Sequence, residues 1–168
     1  IKENTDITVV FSGEGSDEAS GSYMYFHNAP NELEFQDECI RLIKDLSYFD
    51  VLRCDKCISD SGLEARVPFL DKDFLKYYMS INPRYKMPKN YKMEKFLLRK
   101  SFDNGSYLPN EVLWRMKEGM SDGVSSQKKG WFQIIQDFVD QKMSNEYYDS
   151  EVKKYKFNPP KSKESLYF

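Results

Sequence analysis

The sequence predicts a mainly helical chain that gives one strand, near its N-terminus, to a parallel α/β sheet. Three observations carry this. Ile7-Thr8-Val9-Val10-Phe11 is a short β-branched, apolar run of the kind buried within parallel sheets. It runs directly into the glycine-rich turn Ser12-Gly13-Glu14-Gly15-Ser16-Asp17-Glu18, where Ser16 or Asp17 is placed to cap a following helix. Beyond that turn, apolar residues return at helical spacing and no second convincing strand is found. A lone strand leaves its ladder donors and acceptors unpaired, so its sheet neighbours are expected elsewhere, on the N-terminal side. The chain opens at Ile1 and ends soon after Pro159-Pro160 and Ser162 begin a helix, so a piece of a larger domain is expected.

The elements follow in order. Tyr23 to His27 is expected to finish the helix that starts at the turn, and Pro30-Asn31 breaks the chain. From about Leu33 to Ser59, Cys39, Ile43, Leu46, Asp50, Cys54 and Cys57 keep to one face of a long helix. Gly62 stops it. Val67-Pro68-Phe69-Leu70 reads as an extended or turn segment, because Pro68 pushes Val67 out of helical geometry. Asp71 to Ile81 is a helix ended by Asn82-Pro83. Met93 to about Phe102 is another, and Leu108-Pro109 opens a short one through Trp114. Trp131, Ile134, Ile135, Phe138 and Met143 mark an amphipathic helix, and the tail from about Ser144 shows little periodicity.

Composition narrows the class. The 168 residues fit one domain, and 40% hydrophobic residues, with 12 Phe and 12 Tyr, can fill a core. A net charge of −2 makes no electrostatic case for nucleic acid or an anionic membrane. No apolar run reaches the ~18–20 residues of a membrane span. Three cysteines and one isolated histidine form no disulfide framework, which favours a reducing, cytoplasmic setting.

Chemistry concentrates at the acidic turn. Strand ends of this kind are where open α/β sheets bind ligands. Glu14, Asp17 and Glu18 repel one another unless something positive answers them. Favourable placement at a helix N-terminus explains Asp17 and Glu18 but not Glu14, which lies between two glycines. Gly13 and Gly15 begin a dinucleotide-type pattern, yet Glu18 holds the place of its third glycine. A Mg²⁺ ion would turn the crowded acids into an advantage. Asp50 and Arg53, three apart, are either a structural ion pair or a pair facing a polar cleft, open to a zwitterionic substrate. Arg66 and Asp71 are open to the same two readings, the structural one being favoured. Lys117, in a loop rich in glycine and charge, could offset charge on a phosphate. Cys54 and Cys57 read as buried packing rather than a metal or redox pair. His27 is given no role.

At these residues the chain closely resembles the C-terminal part of the synthetase domain of the glutamine-hydrolysing asparagine synthetase family. The resemblance rests on Val9 to Glu18, Tyr25-Phe26-His27, Gly62 to Lys72 and Lys92-Met93-Glu94-Lys95. It continues with Trp114-Arg115, Lys117-Glu118 and Ser121-Asp122-Gly123-Val124. These blocks stand in the family's order and cover nearly the whole chain. The resemblance implies an adenine-nucleotide alpha-hydrolase-like (ATP pyrophosphatase) domain and an ATP- and Mg²⁺-dependent ligase. Aspartate is adenylated to β-aspartyl-AMP, and ammonia from a separate N-terminal glutaminase domain then displaces AMP.

Carried over by position, Ser12 and Gly13 would touch the nucleotide, and Glu14 would serve both steps. Asp17 would help hold Mg²⁺, Asp50 and Arg53 would line the aspartate pocket, and Lys117 would act at the α-phosphate. The expected partners are these small molecules, the glutaminase domain and the rest of the synthetase domain, with a homodimer compatible for the full-length enzyme. Ala19-Ser20-Gly21-Ser22 departs from the family's aromatic residue and two glycines. Neither the N-terminal cysteine nucleophile nor the Ser-Gly-Gly-x-Asp-Ser pyrophosphate loop is present, so this polypeptide alone is expected to be inactive. Two alternatives remain: a β-lactam-forming relative, disfavoured because it carries tyrosine at the place of Glu14, and a non-catalytic homologue or interaction module.

Overall fold

The computed structural model describes residues 1–119, 123, 125 and 129–168, in two compact units divided at Met116 and Lys117. The first unit holds strands β1 (Val9–Phe11) and β2 (Glu64–Arg66), which pair in parallel with Val9 opposite Glu64 and Phe11 opposite Arg66. Glu64 N–H donates to the Thr8 carbonyl and Ser12 N–H to the Arg66 carbonyl, both at 2.8 Å, extending the ladder past each end. Parallel strands need a long crossover, and here the helices between them supply it.

β2 corrects the expectation of a single strand. Glu-Ala-Arg has no apolar alternation, so nothing in its own residues announces a strand. β1 is also less buried than its composition predicts: Val9 is 39% and Phe11 79% exposed, because among the described residues the sheet has two strands.

From β1 the chain enters α1 (Ser16–Ser20). Its N-cap is Gly15, with no side-chain cap, rather than Ser16 or Asp17. Gly15 has φ +83°, and a Cβ there would lie 2.1 Å from Leu70 Cδ2. Both conditions require glycine. Gly21, at φ +58°, closes α1, so Tyr23 to His27 does not continue it; Met24–Asn28 form a separate 3₁₀ turn. The ring of Phe35 packs where a Cβ of Gly21 would be.

The expected long helix is two: α2 (Glu32–Asp45) and α3 (Asp50–Asp60), parted by a 3₁₀ turn at Leu46–Tyr48. Leu46 continues the apolar spacing through the break because it is buried there, so periodicity alone hides the interruption. Asn31 caps α2 by accepting from Leu33 and Glu34 N–H. The core gathers Phe26, Phe35, Cys39 and Met87. Burial pushes the Cys39 thiol up to about 12, as expected of packing rather than reactivity. Cys57, by contrast, is exposed and Cys54 half-buried, which corrects the reading of that pair as buried packing.

Pro68–Leu70 is a 3₁₀ turn, and α4 (Lys72–Ser80) follows. Asp71 caps α4 by accepting from Asp73 and Phe74 N–H, while Arg66 pairs with Glu64 at 2.6 Å. The proposed Arg66–Asp71 pair is thereby replaced, since capping occupies Asp71. Short helices α5 (Pro88–Tyr91), α6 (Phe96–Ser101) and α7 (Asn110–Leu113) complete the first unit.

The second unit contains α8 (Trp131–Lys142), α9 (Asn145–Val152) and α10 (Lys163–Tyr167). Val139 and Met143 are buried, and Lys163 bonds Asp140 at 2.7 Å. The weakly periodic tail is therefore partly helical, with Ser144 and Ser162 as caps. No helix among the described residues is long and apolar enough to cross a membrane.

Candidate functional site

The C-terminal ends of β1 and β2 lie on one edge of the sheet, as parallel pairing requires. β1 delivers Ser12, Gly13 and Glu14; β2 delivers the segment whose Leu70 packs on Gly15. Gly13 is exposed, and a Cβ built on it would meet nothing within 4 Å. The protein's own packing does not demand glycine at that position.

Glu14 is half-buried, and its carboxyl is held above the usual carboxylate range. Burial is the leading cause and Asp50 the next; Arg53 acts in the opposite sense, and Glu18 and Asp17 add smaller upward contributions. Thus the turn and the first residues of α3, far apart in sequence, share one electrostatic environment. Asp50 and Arg53 form an ion pair at 2.9 Å, with the Arg53 side chain 67% exposed. The pair is therefore solvent-facing. In such a setting a salt bridge contributes little stability, about 0–1 kcal/mol, so its value as scaffold is small.

Two residues that carried no assigned role complete this cluster. Lys95 places its Nζ 2.7 Å from Ser16 Oγ and 3.1 Å from Asp17 Oδ1. It is the positive answer that the crowded acids require. Its backbone is left-handed, φ +58°, at the N-cap of α6, and it lies 79 residues from Ser16. The demand for a cation was legible, but its identity was not, except as one member of the Lys92–Lys95 block. Next to it, the buried Glu94 bonds His27 Nε2 at 2.9 Å, giving His27 a structural partner.

The second addition is Tyr23. Its hydroxyl donates to the buried Glu18 carboxylate and lies 3.2 Å from Asp50 Oδ2. Burial, followed by the bond to Glu18, pushes its phenol well above the ordinary tyrosine range, so it stays a donor. Glu18, Tyr23 and Asp50 line one wall of an open cleft of about 610 Å³, with Tyr25, Leu42 and Phe49 supplying apolar surface. Arg41 and Glu38 also line it, and Arg41 holds Glu38 through two bonds of 2.7 Å. That pairing lowers the Glu38 carboxyl, and the same guanidinium also reaches Asp45 at 3.2 Å.

The described residues contain no cluster of three or more His, Cys, Asp or Glu able to hold a metal alone. Asp17 offers one half-exposed carboxylate, whose Oδ1 shares Lys95 Nζ with the Ser16 hydroxyl, so a metal ion there would have to take the other oxygen or displace the lysine. Such a carboxylate fits Mg²⁺, which is commonly bound through one or two carboxylates together with substrate phosphates and water. Lys117 is half-buried and begins the second unit, whereas Glu14, Asp17, Asp50 and Arg53 belong to the first. Ser121, Asp122 and Val124, part of the same sequence block, lie outside the described residues.

Comparison with known proteins bears on this site. A family profile described as asparagine synthase matches residues 28–167. Asparagine synthetase (glutamine-hydrolyzing) of Gallus gallus is 50% identical over all 168 residues, and the proteins of the same name from Mus musculus and Homo sapiens are 48% and 46% identical. In each case the whole chain is covered, including the acidic turn that precedes the profile match. The chain spans 30% of the length of these relatives. On the profile match and on identity across its full length, the chain belongs to the asparagine synthase family.

Proposed function

We propose that this chain is the C-terminal portion of a synthetase domain that makes asparagine from aspartate, ATP and ammonia, the ammonia coming from glutamine in the full-length enzyme. The observation that carries the reading is the shared environment of Glu14 with Asp50 and Arg53, beside the Asp17–Lys95 pair, at the C-terminal end of β1. Such an arrangement offers a cationic group to a substrate carboxylate, a carboxylate to an ammonium group, and a base of raised pKa within their electrostatic reach.

In the first step an oxygen of the aspartate side-chain carboxylate attacks the α-phosphorus of ATP, and pyrophosphate leaves. Ser12 and the open surface over Gly13 receive the nucleotide. Lys117 opposes the charge gathering at the α-phosphate, as the family resemblance implies. Asp17 would hold Mg²⁺, which when bound neutralises charge on the pyrophosphate. In the second step ammonia attacks the acyl carbon, the bond to AMP breaks, and one proton leaves the nitrogen. Glu14 takes that proton. A carboxylate with raised pKa is the stronger base, which suits it to the task. The domain is of the adenine-nucleotide alpha-hydrolase type, and the exposed β1 edge meets further strands of the full-length chain.

The test is aspartate-dependent exchange of pyrophosphate into ATP by the full-length protein. Exchange is expected there and not from the 168-residue chain alone. Replacing Glu14 by Ala is expected to abolish asparagine formation while sparing glutaminase activity. Absence of exchange in the full-length protein, or an unchanged asparagine yield from Glu14→Ala, would overturn the reading.

A further inference from the structure

The first turn of α3 poses a physical problem. It presents Asp50 and Arg53, yet no residue of α3 is buried, and its N-cap residue Phe49 makes no side-chain cap bond. Phe49 itself is 63% exposed. A helix start with neither a cap nor a buried anchor frays easily. Fraying there would move both charged groups away from Glu14.

We infer that Tyr23 is a positioning residue that fixes Asp50, and through it Arg53, against Glu14. Three observations converge. The hydroxyl of Tyr23 spans the buried Glu18 of α1 and the Asp50 carboxylate, across a sequence separation of 27 residues. Glu18 is 4% exposed and lies in a helix whose Ser16, Ala19 and Ser20 are also buried, so one end of the bridge is immobile. The ring is held independently, stacked on Tyr25 at a centroid distance of 6.2 Å and packed against the Phe26–Phe35 core.

A phenol has one proton and two acceptor lone pairs. Its single proton goes to one carboxylate at a time, so the hydroxyl set between Glu18 and Asp50 links the two elements through one bond that either carboxylate can accept. Asp50 Oδ2 faces Tyr23 while Oδ1 holds Arg53, so the carboxylate is gripped from both sides and the guanidinium inherits its position. A carboxylate held in this way loses little further freedom when a zwitterionic substrate arrives, which favours binding of that substrate over others. The inference rests on the proposed aspartate reaction and adds a residue to it.

The experiment is Tyr23→Phe in the full-length protein, which keeps the ring and its packing and removes only the hydroxyl. The KM for aspartate in pyrophosphate exchange is expected to rise about tenfold, the size of one lost hydrogen bond to a charged group. The KM for ATP and the glutaminase rate are expected to stay within about twofold. Placing 3-fluorotyrosine at position 23 restores a hydroxyl and is expected to bring the aspartate KM back. A Tyr23→Phe enzyme with unchanged aspartate KM overturns the inference while leaving the proposed reaction intact. So does a parallel loss of aspartate binding, ATP binding and glutaminase activity, which would mark a merely structural residue. If the parent protein shows no exchange, the reaction falls first and the inference falls with it.

Discussion

α2 and α3 follow one another in the chain, both amphipathic, and they are held in opposite ways. α2 is capped by Asn31 and buries Phe35 and Cys39 completely. α3 has no side-chain cap and no buried residue, and its first turn carries charge into a cleft. The difference shows how the site is built. One helix buries an apolar face completely; the other is only half-buried at best and presents Asp50 and Arg53. Elements that bind and release ligands are drawn from the less stable parts of a fold, and α3 fits that description.

The contrast can be broken by exchanging what each helix is asked to do. In the full-length protein, Arg53→Ala is expected to lower asparagine formation by about 10²-fold or more, through loss of the proposed substrate positioning. It should change stability by less than about 0.5 kcal/mol, because the Arg53 side chain is largely exposed. Steady-state rates and thermal unfolding of the same preparation test both halves. Phe35→Ala, on α2, should do the reverse to stability, costing about 3–5 kcal/mol by transfer and cavity effects. Denaturant unfolding measures it.

A smaller effect sharpens the contrast. Asn31→Ala removes the cap of α2 and should cost about 1 kcal/mol, with aspartate KM unchanged. The smallest shift is in pH dependence. In the proposed reaction Glu14 accepts a proton and so must be ionised; its pKa is raised, and activity of the full-length protein should therefore fall on acidification earlier than an ordinary carboxylate would make it. Arg53 opposes that rise. Removing it pushes the Glu14 pKa further up, and the acid limb of Arg53→Ala should therefore move to higher pH. A pH profile at constant free ammonia checks the sign; a shift to lower pH would contradict the assigned electrostatics.

Much of this was legible from local chemistry. β1, the acidic turn and the helix start at Ser162 follow from short stretches whose own residues determine them, whereas Asp71, read as a partner of Arg66, is a cap. What escaped is non-local. β2 is three residues of polar and small type whose strand geometry comes from pairing with β1. The break between α2 and α3 keeps apolar spacing, so it looks continuous. Lys95 and Tyr23 matter because of what lies opposite them, and nothing in their flanking residues announces it. The charge argument did anticipate a cation near the turn. Locating it required the fold.

Gly15 has a consequence for anyone who would move this chemistry elsewhere. Its backbone turns where Leu70 leaves room for a hydrogen and nothing larger. The acidic turn is thus one half of a key, cut to fit the chain that emerges from β2. Grafted into another scaffold without that second piece, the same seven residues would keep their charges and lose their shape. A bulkier residue at Leu70 should accordingly disturb the turn while every one of its acids stays in place.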